Sequence, residues 1–117
     1  MTFGVNFYAG GPASVAFLQA RSNRCRLIDV QAQNLTVNDL HLMIFDRKLP
    51  AVNGDTPLYS YLVAKSLLLA ATFPSTLPPY SGRVFSNGVW ITWSTTPGTL
   101  TQAPASGTIY ANGMDMA

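Results

Sequence analysis

The chain has 117 residues, of which only 10% are charged, with seven Lys and Arg, five Asp and no Glu. This length fits one domain. The net charge of +2 is too small to indicate a nucleic-acid partner. The single Cys25 excludes an internal disulfide and a cysteine-based zinc site.

Low charge together with 48% hydrophobic residues predicts a surface that associates with other chains. A secreted domain with a neutral surface is the alternative. Residues 1–6 lack the basic start of a signal peptide. The longest apolar-rich run, 62–73, contains Lys65 and is too short to cross a bilayer, so no membrane partner is expected.

Residues 1–13 are rich in Gly and aromatic residues, including Phe3, Phe7 and Tyr8. We interpret them as an N-terminal arm that docks on a partner, with a frayed terminus as the alternative. Residues 14–117 are then the folded domain.

The first two strands of that domain are predicted over 14–18 and 26–33, separated by a polar turn. The second strand alternates clearly between apolar and polar residues. This pattern places Ile28, Val30 and Ala32 on the inner face.

Residues 39–45 form the next predicted strand, and both of its faces are largely apolar. One face carries Leu40, Leu42 and Ile44, and the other carries His41, Met43 and Phe45. Two apolar faces are typical of a central strand that is covered on both sides.

A loop over 46–57 contains two prolines and an Asn-Gly pair, and a strand over 58–63 follows it. Residues 64–73 are ambiguous, because Ala and Leu favour a helix whereas the neighbouring strands favour a strand; we predict a strand. Residues 74–82 hold three prolines and form an irregular connection.

The strongest strand signal lies at 88–95, directly after the turn pair Asn87-Gly88. Alternation places Trp93 on one face and Trp90 on the other. One indole belongs to the core, and the other needs cover from a second sheet, another subunit or a ligand such as a sugar. A last short strand is predicted over 108–111.

These elements predict an all-β fold, a single-domain β-sandwich or jelly-roll-like structure of seven or eight short strands. The predicted core residues are Ile28, Val30, Leu40, Leu42, Ile44, Val89, Ile91 and Trp93.

No residue pattern carries reaction chemistry. The five Asp share no motif, and His41 lies on an apolar strand, where a structural role is the more common one. We therefore predict no enzyme activity, no cofactor and no metal. The cluster Arg21, Arg24 and Arg26 either contacts an acidic protein partner or is a solvated strand edge.

The run Phe85-Ser86-Asn87-Gly88-Val89-Trp90-Ile91, followed by Ser94-Thr95-Thr96-Pro97-Gly98-Thr99-Leu100-Thr101, resembles a segment of small virion proteins of tailed bacteriophages. The resemblance covers roughly residues 24–101. It implies a non-enzymatic β-sandwich subunit in the virion, assembled in the bacterial host cytoplasm.

The leading functional hypothesis from this resemblance is a capsid decoration or cement protein, a homo-oligomer that binds the major capsid protein and stabilises the phage head. The alternative is a tail, baseplate or neck subunit, and a carbohydrate-binding sandwich ranks below it. Candidate partner-binding residues are Phe3, Phe7, Tyr8, Trp90, Arg24 and Arg26.

Overall fold

The computed structural model describes residues 6–73 and 82–116. These residues form strands and loops without a helix, which confirms the predicted all-β class. In chain order the strands are β1 (Asn6–Gly10), β2 (Phe17–Arg21), β3 (Cys25–Asn34), β4 (Leu40–Phe45), β5 (Tyr59–Val63), β6 (Leu68–Thr72), β7 (Arg83–Phe85), β8 (Val89–Ser94) and β9 (Gly107–Asp115).

The strands form two antiparallel sheets that pack as a β-sandwich. The five-stranded sheet has the order β1-β9-β3-β6, and β7 pairs with the first residues of β3. The four-stranded sheet has the order β2-β8-β4-β5. The molecule is elongated, with extents of 47 × 25 × 25 Å.

The core lies between the two sheets and contains seven of the eight predicted core residues. These are Val30, Leu40, Leu42, Ile44, Val89, Ile91 and Trp93. The alternation read from the sequence therefore identifies the inner faces of β4 and β8 correctly.

Ile28 is the exception, and a β-bulge explains it. The register of β3 against β9 shifts between Leu27 and Asp29, which leaves Ile28 as the extra residue. A bulge moves the alternation by one position. Cys25 and Leu27 point into the core before it, and Val30 does so after it, while Ile28 is only partly buried.

Strand β4 is central, as its two apolar faces predict. It pairs with β8 on one side and with β5 on the other. Leu42 faces the main core and Met43 faces a second cluster on the outside of the sheet, and both side chains are fully buried.

The ambiguous segment 64–73 contains strand β6, so the choice of strand over helix is confirmed for Leu68–Thr72. The strand starts later than predicted because Ala64–Leu67 form a tight turn. In this turn Leu67 N donates to Ala64 O, and Ser66 has a positive φ of 61°. Strand β2 likewise lies at Phe17–Arg21 rather than 14–18.

The expected arm is wrong for residues 6–10, which form β1 at the edge of the five-stranded sheet. Phe7 is a core residue that pairs with Gly113 on β9. A Cβ atom on Gly113 would lie 2.7 Å from the Phe7 ring, so the ring occupies the space that this glycine leaves open. The two partners are far apart in the chain, and the sequence pattern therefore does not reveal the pair.

Leu42→Ala tests the core. The substitution removes a fully buried side chain, so we expect the free energy of unfolding to fall by about 2–5 kcal/mol in urea titrations. Leu62→Ala, on the neighbouring strand and 61% exposed, is the matched control and should change it by less than about 0.5 kcal/mol. If the two variants lowered the free energy of unfolding equally, Leu42 of β4 would not belong to the core.

Candidate interaction surface

The two tryptophans of β8 are both buried. Trp93 belongs to the main core, and Trp90, on the opposite face of the strand, is only 4% exposed. The Phe17 ring stacks on Trp90 with a centroid distance of 4.3 Å. The other residues of the Trp90 cluster are Met43, Phe45, Ala51 and Leu100. The expectation of an outward indole is therefore corrected, and Trp90 offers almost no surface to a partner.

Two loops of the chain itself provide the cover over Trp90. The β4–β5 loop and the β8–β9 loop meet across the outer face of the four-stranded sheet. Gly54 N donates to Leu100 O at 2.8 Å, and Leu100 N donates to Asp55 O at 2.9 Å. Gln102 N donates to the Asn53 side-chain oxygen at 2.8 Å. No local sequence pattern marks these contacts, since each joins residues more than forty positions apart.

The three N-terminal residues that we predicted to contact a partner do not lie together on one exposed surface. Phe3 lies outside the described residues. Phe7 is buried in the core, and Tyr8 is 67% exposed on the outer face of the five-stranded sheet. The Tyr8 ring lies 5.7 Å from the Tyr110 ring. Of the three residues, only Tyr8 is shown to be available to a partner.

The predicted arginine cluster is also divided. Arg21 forms an ion pair with Asp115, and its guanidinium lies 4.2 Å from the centre of the Phe7 ring. Arg26 donates to Gly82 O at 3.2 Å. Arg24 is exposed in the β2–β3 turn. Arg21 and Arg26 thus support the fold, and Arg24 is the member that faces solvent.

One end of the sandwich, which we call the basic end, collects most of the charge. It contains the β2–β3 turn, the start of the β4–β5 loop and the β7–β8 turn, which lie together: a Cβ atom on Gly88 would be 2.5 Å from Arg21 O and 2.9 Å from Arg47 O. Six basic side chains and three Asp give this end an excess of three positive charges. They are Arg21, Arg24, Arg26, Arg47, Lys48, Arg83, Asp46, Asp55 and Asp115.

The opposite end of the strands carries exposed aliphatic side chains, and we call it the aliphatic end. It comprises the β3–β4 loop, the β5–β6 turn and the strand residues beside them. Its five large side chains, each more than half exposed, are Leu35, Val37, Leu62, Leu67 and Leu68. The charged residues in its loops, Asp39 and Lys65, balance each other.

The buried side chain of Asn34 holds the two loops of the aliphatic end together. Its amide nitrogen donates to Asn38 O at 2.8 Å and to Val63 O at 3.0 Å. Its oxygen accepts from both the backbone N and the hydroxyl of Thr36. The Asn34 backbone N donates to Leu67 O at 3.0 Å. The exposed aliphatic residues are therefore presented on a fixed backbone.

A thiol and a carboxylate are groups that often carry reaction chemistry, but here Cys25 is buried and Asp46 is hydrogen-bonded to the backbone. Burial, followed by the negative charge of Asp115, raises the pKa of Cys25 to about 11, so this thiol remains protonated and weakly nucleophilic near neutral pH. The Asp46 carboxylate accepts from Ser86 N and Asn87 N, where it fixes the β7–β8 turn. Within residues 6–73 and 82–116, no group of three His, Cys, Asp or Glu side chains is arranged to hold a metal ion.

An open pocket of about 330 Å³ lies at the base of the β4–β5 loop, between Phe45 and Leu58. Its charged residues are already paired, because Arg47 binds the Asp55 carboxylate. The same carboxylate accepts from Val52 N at 2.8 Å. The pocket is formed by the end of β4 and the β4–β5 loop alone. We therefore consider the two ends of the sandwich as the candidate interaction surfaces.

No protein-family model matches the chain, and neither the curated proteins nor the solved structures contain a match. In the part of the chain that the structure covers, no helix is long and apolar enough to cross a membrane.

Asn34→Ala tests how the aliphatic end is built. The variant loses four side-chain hydrogen bonds at a buried site, so we expect a loss of about 2–4 kcal/mol in the free energy of unfolding. The amide of Thr36 should exchange with solvent faster, because it loses its acceptor. Gln33→Ala, the exposed neighbour on the same strand, is the control. Unchanged exchange at Thr36 would contradict this role.

Proposed function

We propose that this chain is a non-enzymatic structural subunit of a bacteriophage particle, and that it decorates the capsid by binding the major capsid protein. The observation that carries the proposal is the aliphatic end, where five large aliphatic side chains stand in solvent. The resemblance of residues 24–101 to phage virion proteins and the low charge of the chain support the same assignment.

The aliphatic end has the chemistry of a protein contact. Covering one such side chain fully is worth about 1.5–3 kcal/mol, and a monomer gains nothing from leaving five of them exposed. Asn34 has already ordered the loops, so binding loses little conformational entropy there. A cement protein occupies many equivalent sites on a shell, so each contact can be modest and still stiffen the particle.

The basic end would then point away from the apolar contact or along the particle surface. Its exposed Arg24 and Lys48 lie on loops at the far end of the strands from Val37. Exposed charges of this kind steer an approach more than they hold a complex, especially at physiological salt. We assign orientation to the basic end and attachment to the aliphatic end.

The alternative virion role is a tail, baseplate or neck subunit. A capsid decoration protein is present at every equivalent shell site, on the order of hundreds of copies, whereas a tail or neck part follows the small ring symmetry of its assembly. Quantitative mass spectrometry of purified particles that carry the chain separates the two roles. Absence of the chain from such particles would reject both.

Val37→Asp tests attachment through the aliphatic end. Val37 is 81% exposed, so the isolated variant should fold normally, but a charge buried in an apolar contact should weaken particle binding by at least about tenfold. Val52→Asp is the matched control, since Val52 is also exposed but lies in the β4–β5 loop. Binding of the purified variants to stripped particles, measured by co-sedimentation, gives the comparison.

Salt distinguishes the two ends in the same assay. At about 1 M NaCl the Debye length is about 3 Å, and contacts between exposed charges are screened. Attachment through the aliphatic end should persist under these conditions. If salt releases the chain from the particle, and if Val37→Asp binds with the same affinity as the unmodified chain, then attachment occurs through the basic end.

Carbohydrate binding is the second candidate function, and the Tyr8–Tyr110 pair favours it. Both rings lie on the outer face of the five-stranded sheet, where Tyr8 pairs with Asn112 and Tyr110 with Gln31. An exposed ring can cover the apolar face of a sugar while amides bind its hydroxyl groups. Because Trp90 is buried, any such site would use tyrosines.

Tyr8→Ala tests this second candidate. If the sheet face binds glycans, titration of the isolated protein with oligosaccharides should shift the amide signals of Tyr8 and Tyr110, and Tyr8→Ala should abolish the shifts. Tyr8→Phe keeps the ring and should retain most of the affinity. Absence of shifts with all glycans, at millimolar concentration, would remove the candidate.

A further inference from the structure

The four longer edge strands of the sandwich differ in how they are protected from pairing with other chains. An edge strand has free backbone N–H and C=O groups, and monomeric proteins commonly block it with bulges, charges or contacts from other elements. The four longer edge strands are β1 and β6 in one sheet and β2 and β5 in the other; the three-residue β7, which pairs only with β3, is a fifth and shorter edge strand.

Three of these edges have such protection. Strand β2 contains a register shift between Gln19 and Arg21. Strand β1 contacts β2 and ends at Gly10, whose φ of +116° departs from strand geometry. On β5, the Arg83 guanidinium binds the Tyr59 hydroxyl and lies 5.2 Å from the centre of its ring.

Strand β6 has none of these features among the described residues. Its sequence, Leu-Leu-Ala-Ala-Thr, contains no charge and no proline, and its pairing with β3 is regular over all five residues. Leu68, Ala70 and Thr72 have exposed side chains on the outer face.

The backbone of β6 also offers hydrogen bonds to a further strand. Phe73 N donates to Ile28 O, and Asn34 N donates to Leu67 O, so the residues that flank β6 point toward β3. Backbone groups alternate in direction along a strand. The N–H and C=O groups of Leu68, Ala70 and Thr72 therefore point away from β3, toward the open edge.

We propose that β6 pairs antiparallel with β6 of a second copy of this chain, around a two-fold axis at Ala70. In this register Ala70 faces its own counterpart, and Leu68 faces Thr72 of the other copy. The three outward residues then exchange both of their backbone hydrogen bonds across the axis. The five-stranded sheets of the two copies become continuous.

We assign a second copy of this chain, rather than a different protein, as the partner of β6 because the edge is complementary to itself. A two-fold contact places identical surfaces against each other, and a charged edge would oppose like charges there. Strand β6 carries no charge, and the residue at the axis is the small Ala70. Pairing also covers part of Leu68, which is 66% exposed in the single chain.

This inference is separate from the proposed virion role. A dimer through β6 can exist whether or not the chain binds a capsid, and attachment through Val37 can occur without a dimer. Failure of one therefore leaves the other standing, and the two are measured in different assays.

Oppositely charged substitutions at Ala70 provide the test. Sedimentation equilibrium of the full chain should show a reversible dimer. Ala70→Lys places two positive charges together at the axis and should raise the dimer dissociation constant at least about tenfold, as should Ala70→Glu. An equimolar mixture of the two variants should recover the dimer, because opposite charges then meet.

Gln31→Lys is the matched control, since Gln31 lies beside Ala70 on the same face but one strand further in. It should dimerise like the unmodified chain, and circular dichroism should show all variants folded. A monomer at millimolar concentration, an odd-numbered oligomer, or a dimer that persists in Ala70→Lys would overturn the proposal. Failure of the charged mixture to recover the dimer would also overturn it.

Discussion

Burial of both faces of the β4–β8 pair is the constraint on which the rest of the structure depends. The inner face forms the sandwich core with Trp93 and Leu42, as in any sandwich. The outer face carries Trp90 and Met43, which are as strongly buried as the core. Two long loops must therefore cross this sheet and hydrogen-bond to each other above Trp90. The ion pair between Asp55 and Arg47 lies within the β4–β5 loop and helps to hold that loop in place.

Because loops cover the outer face of one sheet, the ends of the sandwich are among its main exposed surfaces. Most of the charge lies at the end with the β2–β3 turn, and five large exposed aliphatic residues lie at the other, while Leu49 and Val52 are exposed in the β4–β5 loop. The two ends of the strands therefore differ in their chemistry. A subunit with this arrangement can bury its apolar end against a partner while nine of its twelve charged side chains stay at the other end, so only Asp39 and Lys65 lie near the contact.

The aliphatic end and the β6 edge are neighbouring surfaces with different modes of binding. The first offers side-chain area on loops held by Asn34, and the second offers free backbone groups on a neutral strand. Side-chain burial supplies the affinity at a surface of the first kind, whereas in strand pairing the backbone hydrogen bonds supply affinity and the facing side chains supply specificity. Because the two β6 strands would run antiparallel, a dimer joined there would direct its two aliphatic ends in opposite directions along the strands.

The sequence by itself determined which residues face inward in those strands where no bulge interrupts the alternation of inward and outward side chains. Residues 40–45 and 89–94 were placed on the correct faces because side chains along a regular strand alternate between the two faces of the sheet. Most of the core followed from the same reasoning.

Only the tertiary structure decided the features that depend on distant partners. Ile28 left the core because β3 must form a bulge against β9, and Phe7 entered it because Gly113 leaves space for the ring. Trp90 lost its surface because Leu100 and Phe17 cover it, and the aliphatic end exists because Asn34 joins two loops that are separated in the chain. Each of these outcomes is set by contacts between residues far apart in sequence, whose energy no local pattern encodes.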